Sequence, residues 1–349
     1  MCLPARLLPP PDGLDASGAK PFKLPVAECF AAQCAALPEL PAPLMRDPAE
    51  WDELHYREEG GVGWLTFDFY NGAMSTGQCQ RLREAVAFAK ARPTRVLVLL
   101  GGADFFSNGI HLNRIEASAQ RPDDSAADES MRNIEAMDDL ALEILTAGDQ
   151  LTVSALRGNV GAGGAFLALA ADLVWAHEGV VLNPHYKNMG NLYGSEYWTY
   201  LLPQRVGAAG AAAIMRNRLP LSANGALEIG LIDAVCAEDA RAFAAMLPER
   251  VAALALAGDF DERLAAKRAR RERDEAAKPL AAYRAEELAR MRRNFYGFDP
   301  SYHVARYHFV QKIPHAWTPR HLAPHREPGG AHGTSAGADS TNRKADTAA

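Results

Sequence analysis

Two stretches of the chain hold residue types that could act on a polar small molecule. The first is the turn Gly158 to Gly164, with glycines at 158, 161, 163 and 164, between the β-favouring run Thr152–Leu156 and the small-residue run Ala165–Ala171. Glycine lets a backbone turn tightly and approach a ligand with no Cβ in the way. The first N–H groups of a helix that starts there lack intrahelical partners and sit at the positive end of its dipole, so they can donate to an oxygen. The second stretch, Asn183 to Trp198, sets one carboxylate, Glu196, among Tyr186, Tyr193, Tyr197 and Trp198. A lone carboxylate in such surroundings can serve as a general acid or base. Ser195 is expected to cap the following helix, which places Glu196 in its first turn; the plainer account of Glu196 is then dipole complementarity, worth about 0.3–1 kcal/mol. The helix start lowers the pKa of this carboxyl and burial among aromatics raises it.

Nucleotide motifs do not fit the glycine turn. A phosphate loop needs Gly-Lys-Ser/Thr entering the helix, where Gly163-Gly164-Ala165 stands here; a dinucleotide turn counted from Gly161 meets Phe166 at its last glycine. Taken alone, the turn reads equally well as a tight strand–helix corner with no ligand. A second loop of the same kind lies upstream. There the apolar strand Val96–Leu100 runs into Gly101-Gly102 and then Phe105-Phe106-Ser107-Asn108-Gly109-Ile110-His111.

Hydrophobic periodicity supplies the elements that would position these loops. Residues 55–69 read as two β-rich pieces around Gly60-Gly61, suiting a hairpin. Thr76–Ala91 reads as a helix capped by Thr76, with Cys79, Leu82, Ala85, Val86 and Ala89 on its inner face. Residues 117–130 read as a mobile polar loop, and Met131–Thr146 as an amphipathic helix with its acidic residues outward. Repeated strand–helix alternation implies parallel strands with right-handed crossovers. After Cys236 come an alanine-rich helix, Asp239–Ala257, and a charged helical region, Asp261–Arg293, broken at Pro279, which is either a lid or a solvated, salt-bridged face. Asn294–His325 is aromatic; its His303, His308, His315, His321 and His325 match no metal-binding spacing and read as packed, hydrogen-bonded side chains. The domain reading is a proline-rich arm or linker over 1–50, with one short helix near Val26–Ala36, a core over 51–240, a helical and aromatic lid region over 241–325, and a disordered tail over 326–349.

With 349 residues, 48% of them hydrophobic, the chain can bury a substantial core. A net charge of −6 without basic stripes argues against a nucleic-acid surface. No signal pattern and no run of membrane-spanning length is present, so no membrane partner is expected. The five cysteines, Cys2, Cys29, Cys34, Cys79 and Cys236, are scattered and lack C-x-x-C, which suits free thiols in the cytoplasm and no metal site.

Taken together, the two glycine loops resemble those of the crotonase (enoyl-CoA hydratase/isomerase) superfamily, whose signatures are an F-x-A-G-A-D-type loop after one strand and a G-x-x-x-G-G-G-type turn after the next. Ala223 to Val235, ANGALEIGLIDAV, is similar to a further segment of that family, and the likeness covers roughly residues 60–240. It implies an α/β crotonase (ClpP/crotonase-like) spiral of repeated ββα units with a C-terminal helical region. It also implies that the N–H groups of Ile110 and Gly163 hold the thioester carbonyl of an acyl-CoA, within a pocket assigned to Phe106, Asn108, His111, Phe166, Tyr193 and Trp198. C-terminal helices of this family cover the active site of their own or a neighbouring subunit, so an oligomer is one expectation. The two glutamates of its hydratases fall at Phe166 and near His185-Tyr186, so both are missing here. Adding water across a double bond needs an acid/base group that Phe166 cannot supply.

Longer phrases narrow the resemblance: FDFYNGAMSTGQC, GGADFFSNGIHLNRIEA, VVLNPHYKNMGNLYGSEYWTYLLPQRVG and NFYGFDPSYHVAR. They are similar to the crotonase-like half of a family of NiFe-hydrogenase maturation factors, over about residues 50–325. That likeness implies a path to the carbon monoxide ligand of the hydrogenase iron. An N-terminal half passes a formyl group from formyl-tetrahydrofolate to coenzyme A, and the crotonase-like half splits formyl-CoA into CO and CoA. The formyltransferase half and its tetrahydrofolate site are absent from this sequence, so the expectation is either a truncated chain or a separate formyltransferase. For this chemistry Glu196 is the expected acid/base and Tyr186 its hydrogen-bonding partner. His111 is the weaker candidate, with a CoA contact or loop packing as its other roles. Another acyl-CoA hydratase, isomerase, decarboxylase or thioesterase, or a non-catalytic remnant that binds CoA or a maturation partner, stays open beside this reading.

Overall fold

Alternation of side chains between two faces builds the central sheet of the computed structural model, which describes residues 53–313. Strands β1 (Leu54–Glu59) and β2 (Val62–Phe67) form the expected hairpin across Gly60-Gly61. Strands β4 (Val96–Leu100), β7 (Leu151–Leu156), β9 (Leu173–Ala176) and β12 (Ala234–Val235) extend it in parallel, giving the order β1-β2-β4-β7-β9-β12. Along β4, Leu97 and Leu99 enter one core and Val96 and Val98 the other, as the two-residue period of a strand buried on both faces requires.

A second layer is made of shorter strands. β3 (Ala73–Met74) pairs with β6 (Gly109–Ile110), and β5 (Phe105–Ser107), β8 (Asn159–Gly161), β10 (Val181–Asn183) and β11 (Leu221–Ser222) form a four-stranded sheet in the order β11-β10-β8-β5. Successive units therefore place one strand in the large sheet, the next in the small layer, and then a helix. This is the repeated ββα unit.

The helices sort onto the two cores. α1 (Thr76–Lys90), α3 (Ala126–Leu145) and α4 (Gly163–Leu169) cover the inner core, while α2 (Leu112–Ser118) joins β6 to α3. α5 (Trp198–Asn217) and α6 (Ala223–Glu228) follow the second layer. The segment after Cys236 does not form a single layer. α7 (Ala240–Ala255) and Phe260, at the start of α8 (Phe260–Ala277), pack on the outer face against Val62, Trp64 and Trp175. α9 (Leu280–Tyr296) and α10 (Ser301–Val310) instead join the inner core through Leu280, Met291, Phe295 and Tyr302. The break at Pro279 falls between α8 and α9, as expected.

Three local expectations are corrected. The cap of α1 is Ser75, not Thr76: Ser75 Oγ accepts from the N–H of Gln78, and the Gln78 side chain returns a bond to the Ser75 N–H, a reciprocal box that leaves Thr76 inside the helix. The polar loop spans only 119–125, because Ser125 caps α3 five residues before the expected start and Asp124 receives two 2.7 Å bonds from Arg132. The acids of α3 do not all face outward: Asp138 is fully buried. The proline-rich arm, the helix near Val26–Ala36, the tail over 326–349, Cys2, Cys29 and Cys34, and His315, His321 and His325 lie outside the described residues. Ser75→Ala should cost about 1 kcal/mol in urea unfolding; Thr76→Ala, which leaves the cap in place, should cost less.

Candidate active site

The two glycine loops meet with nothing between their backbones. Gly109 has φ +80°, and a Cβ there would stand 3.2 Å from the backbone nitrogen of Gly163; a Cβ on Gly164 would collide with the carbonyl oxygen of Ser107. Only glycine at 164 permits this approach. Ala162, held at φ 47° and ψ −128°, turns the chain abruptly into α4. The N–H of Gly163 is thereby the first of a helix, and it has no hydrogen-bond acceptor among the described residues. Ile110 lies beside it in β6, half-buried and registered with Met74 of β3.

Glu196 is brought against that helix start. Its side chain lies so close to the Cα of Gly163 that any Cβ there would strike the carboxylate. The residue is 1% exposed. Tyr186 Oη lies 2.5 Å from Glu196 Oε2 and 2.9 Å from the carbonyl oxygen of Ser195. This arrangement satisfies both protonation states. A carboxylate accepts the phenolic hydrogen; a protonated Glu196 donates to the phenol, which then donates to Ser195.

Ser195 does not cap a helix and Glu196 is not in a first turn. α5 starts at Trp198, and both residues ahead of it are left-handed, Glu196 at φ 58° and Tyr197 at φ 59°. Complementarity to the dipole of its own following helix therefore does not account for Glu196. Ser195 Oγ instead donates to Asp138 Oδ1 at 2.5 Å, and the N–H of Glu196 donates to the same oxygen at 2.7 Å. Left-handed conformations cost roughly 1–2 kcal/mol per residue outside glycine, so two in succession require firm anchoring. Asp138 from α3 supplies part of it, and Glu287 from α9, also fully buried, accepts the N–H groups of Tyr197 and Thr199 at 2.9 and 2.8 Å.

Three buried carboxyls thus surround one turn. Burial, then the charge of Asp138, pushes Glu196 well above the usual carboxylate range, against the bond from Tyr186. Burial lifts Asp138 to about 6 in spite of its bond from Ser195, and Glu287 to about 8 in spite of its bonds from Thr199. Burial is the larger influence on Glu196, and α5, the helix expected to hold it, begins two residues later.

The remaining expected residues fall in several places. Phe166, fully buried, stacks on Tyr186 at 5.3 Å and 15°. Gly194, at φ +97°, also lies against Tyr186, where a Cβ would enter its ring. Tyr193 and Trp198 contact each other at 5.3 Å, both half-buried. Phe106 is in the core, edge-on to Phe67 at 5.0 Å, and Asn108 is exposed, donating to the Asn71 carbonyl at 2.8 Å. His111 caps α2: its Nδ1 accepts from the N–H of Arg114, and burial, aided by the Arg114 charge, brings its pKa down to about 4, so the ring is neutral near pH 7. His303 is held between the Phe295 carbonyl and Arg306. Among the described residues no group of three or more His, Cys, Asp or Glu side chains could hold a metal ion, and no helix is long and apolar enough to cross a membrane.

A family model described as enoyl-CoA hydratase/isomerase matches residues 59–291. The chain belongs to that family. Within the enoyl-CoA hydratase/isomerase family it is 55% identical, over 88% of its length, to the hydrogenase maturation factor HoxX of Bradyrhizobium diazoefficiens, of which the match covers 52%. The crystal structure of HypX from Aquifex aeolicus in complex with tetrahydrofolic acid superimposes with a TM-score of 0.75 at 52% identity, over 80% of this chain and 49% of that one. An enoyl-CoA hydratase from Bacillus halodurans shares the crotonase fold at a TM-score of 0.63 and 18% identity, over 73% of this chain and 99% of that one. The chain spans about half the length of the maturation factors it matches.

Asp138 and Glu287 were not among the residues expected at the site. Glu287 holds its proton more tightly in the folded protein than the roughly 4.3 of a free glutamate would allow. Its contribution to stability is therefore complete below about pH 4 and is lost as pH rises through about 8. The thermal midpoint should fall as pH rises from about 4 to about 8, and Glu287→Gln should flatten that fall, as melting curves at constant ionic strength can show.

Proposed function

We propose that the chain decarbonylates formyl-CoA, releasing carbon monoxide and CoA for the maturation of a NiFe-hydrogenase. One observation carries this reading: Glu196, buried and bonded to Tyr186, lies against the Cα of Gly163, whose N–H is unpartnered among the described residues. By the family resemblance Phe166 stands where a hydratase has a carboxylate. Formyl-CoA has no β carbon, so a second carboxylate has no task. In the proposed step the thioester carbonyl oxygen accepts from the N–H groups of Gly163 and Ile110. Ionised Glu196 takes the formyl hydrogen as a proton, the electron pair of the C–H bond becomes part of CO, and the carbon–sulfur bond breaks with its electrons on sulfur. Glu196 then returns the proton to the thiolate, giving CO and a thiol with nothing left over. Burial makes Glu196 a stronger base once ionised, and the Tyr186 hydroxyl holds that ionised form. A thiolate leaves readily because its conjugate pKa is about 8.5. Losing one oxyanion donor typically costs about 2.7–4 kcal/mol.

The Phe166–Tyr186 stack, whose phenol bonds Glu196, supports the choice of a one-carbon acyl group, because it takes up room for a longer chain and keeps out water that would yield formate. On this reading coenzyme A enters as substrate and product, and the protein works in the cytoplasm beside other maturation proteins. Supply of formyl-CoA, and the use of tetrahydrofolate, falls to the portion of the relatives beyond the match or to a separate formyltransferase. The test incubates the purified chain with formyl-CoA and reads CO with a haem reporter. CO should form, and Glu196→Gln should abolish it while leaving CoA binding within about twofold. Formate in place of CO, or turnover of malonyl- or acetyl-CoA at higher rates, would replace the decarbonylase by a thioesterase or decarboxylase.

A further inference from the structure

Between Tyr193 and Thr199, where the chain passes from the loop carrying Glu196 into α5, the amide of Glu196 goes to Asp138 of α3, and those of 193, 194, 197 and 199 go to one face of α9. Asn294 Oδ1 accepts the N–H of Tyr193 at 3.0 Å, Met291 Sδ that of Gly194 at 3.1 Å, and Glu287 those of Tyr197 and Thr199, together with the Thr199 hydroxyl. Positions 287, 291 and 294 stand at i, i+4 and i+7, a single stripe along the helix. Buried amides need acceptors, and here side chains from nearly a hundred residues downstream provide them. Between these contacts lie Gly194 at φ 97°, Glu196 at φ 58° and Tyr197 at φ 59°, three left-handed residues within four. Nothing in their own side chains favours that conformation at 196 and 197. The same helix is fixed to the scaffold by Arg284, 2.7 Å from Asp139 and 3.6 Å from Asp138, and by Arg290, whose guanidinium lies 4.7 Å above the Tyr193 ring.

We infer that Glu287, Met291 and Asn294 are positioning residues: α9 is a template that folds the 193–199 loop and so sets the Glu196 carboxyl against Gly163. The inference rests on the reading of Glu196 as the acid/base. If these side chains served stability alone, their loss would lower the melting temperature without separating binding from turnover.

The experiment uses the full chain with Asn294→Leu, which keeps bulk and removes the acceptor, Asn294→Asp, which keeps an oxygen at the same reach, and Glu287→Gln, which withdraws one of two acceptor oxygens. Three quantities are read: CoA affinity by calorimetry, kcat and KM for CO release from formyl-CoA, and the infrared band of the Glu196 carboxyl, assigned by difference against Glu196→Gln. Asn294→Leu and Glu287→Gln should lose about 10–100-fold in kcat, with KM and CoA affinity held within about twofold, and the Glu196 band should shift. Asn294→Asp should keep more turnover than Asn294→Leu. Wild-type kcat and an unmoved band in folded Asn294→Leu and Glu287→Gln would overturn the inference. Should Asn294→Leu not fold, Glu287→Gln decides by the same criteria. Should the wild-type chain release no CO, the decarbonylase reading fails, and the Glu196 band in these variants decides the positioning role by itself.

Discussion

A carboxyl group shut away from water must find its hydrogen bonds within the protein, and much of this structure follows from how Glu196 does so. Tyr186 can receive from it or give to it, and the Ser195 carbonyl absorbs the difference. The ring that carries this hydroxyl is packed against the face of Phe166 and the bare Cα of Gly194, so it has little freedom to turn away. Fixing a phenol ring by packing fixes where its oxygen lies. That makes the carboxyl position a product of packing as much as of hydrogen bonding.

The backbone around the carboxyl is arranged to leave that space open. Gly109, Gly163 and Gly164 each stand where a methyl group would touch the opposite loop or the carboxylate itself. Small residues therefore do two things at once. They let α4 press its first amide to the edge of β6, and they let an acid from a third loop reach the same point. The six-stranded sheet holds β4 and β7 in adjacent register from Val96↔Leu151 to Leu100↔Ala155, so the loops that follow these strands leave the sheet side by side.

Much of this was legible in the residues. β4 has the bounds its apolar run announces, α1 buries the five positions its periodicity selects, and the two glycine loops do come together. What escaped notice were acids inside apolar stripes. Asp138 stands four residues after Ile134 and three before Ala141, and Glu287 lies in line with Leu280, Met291 and Phe295; each spacing points inward. Reading every acid of an amphipathic helix as solvated hid both. The left-handed turn at Glu196 and Tyr197 had no such trace, because its cause lies in acceptors from α3 and α9 and not in the turn's own residues. The same cause displaced the helix cap from Ser195 to Tyr197.

Four of the hydrogen bonds between α9 and the 193–199 stretch run through main-chain amides on the stretch's side. An amide is the same whatever residue bears it, so these bonds place no demand on the side chains at 193, 194 and 197 beyond a φ that stays attainable. The helix enjoys no such latitude, since its acceptors are side chains of fixed length. Selection on this chemistry would therefore leave its clearest imprint some ninety residues from the acid itself, on a stretch that a search confined to the glycine motifs would pass over.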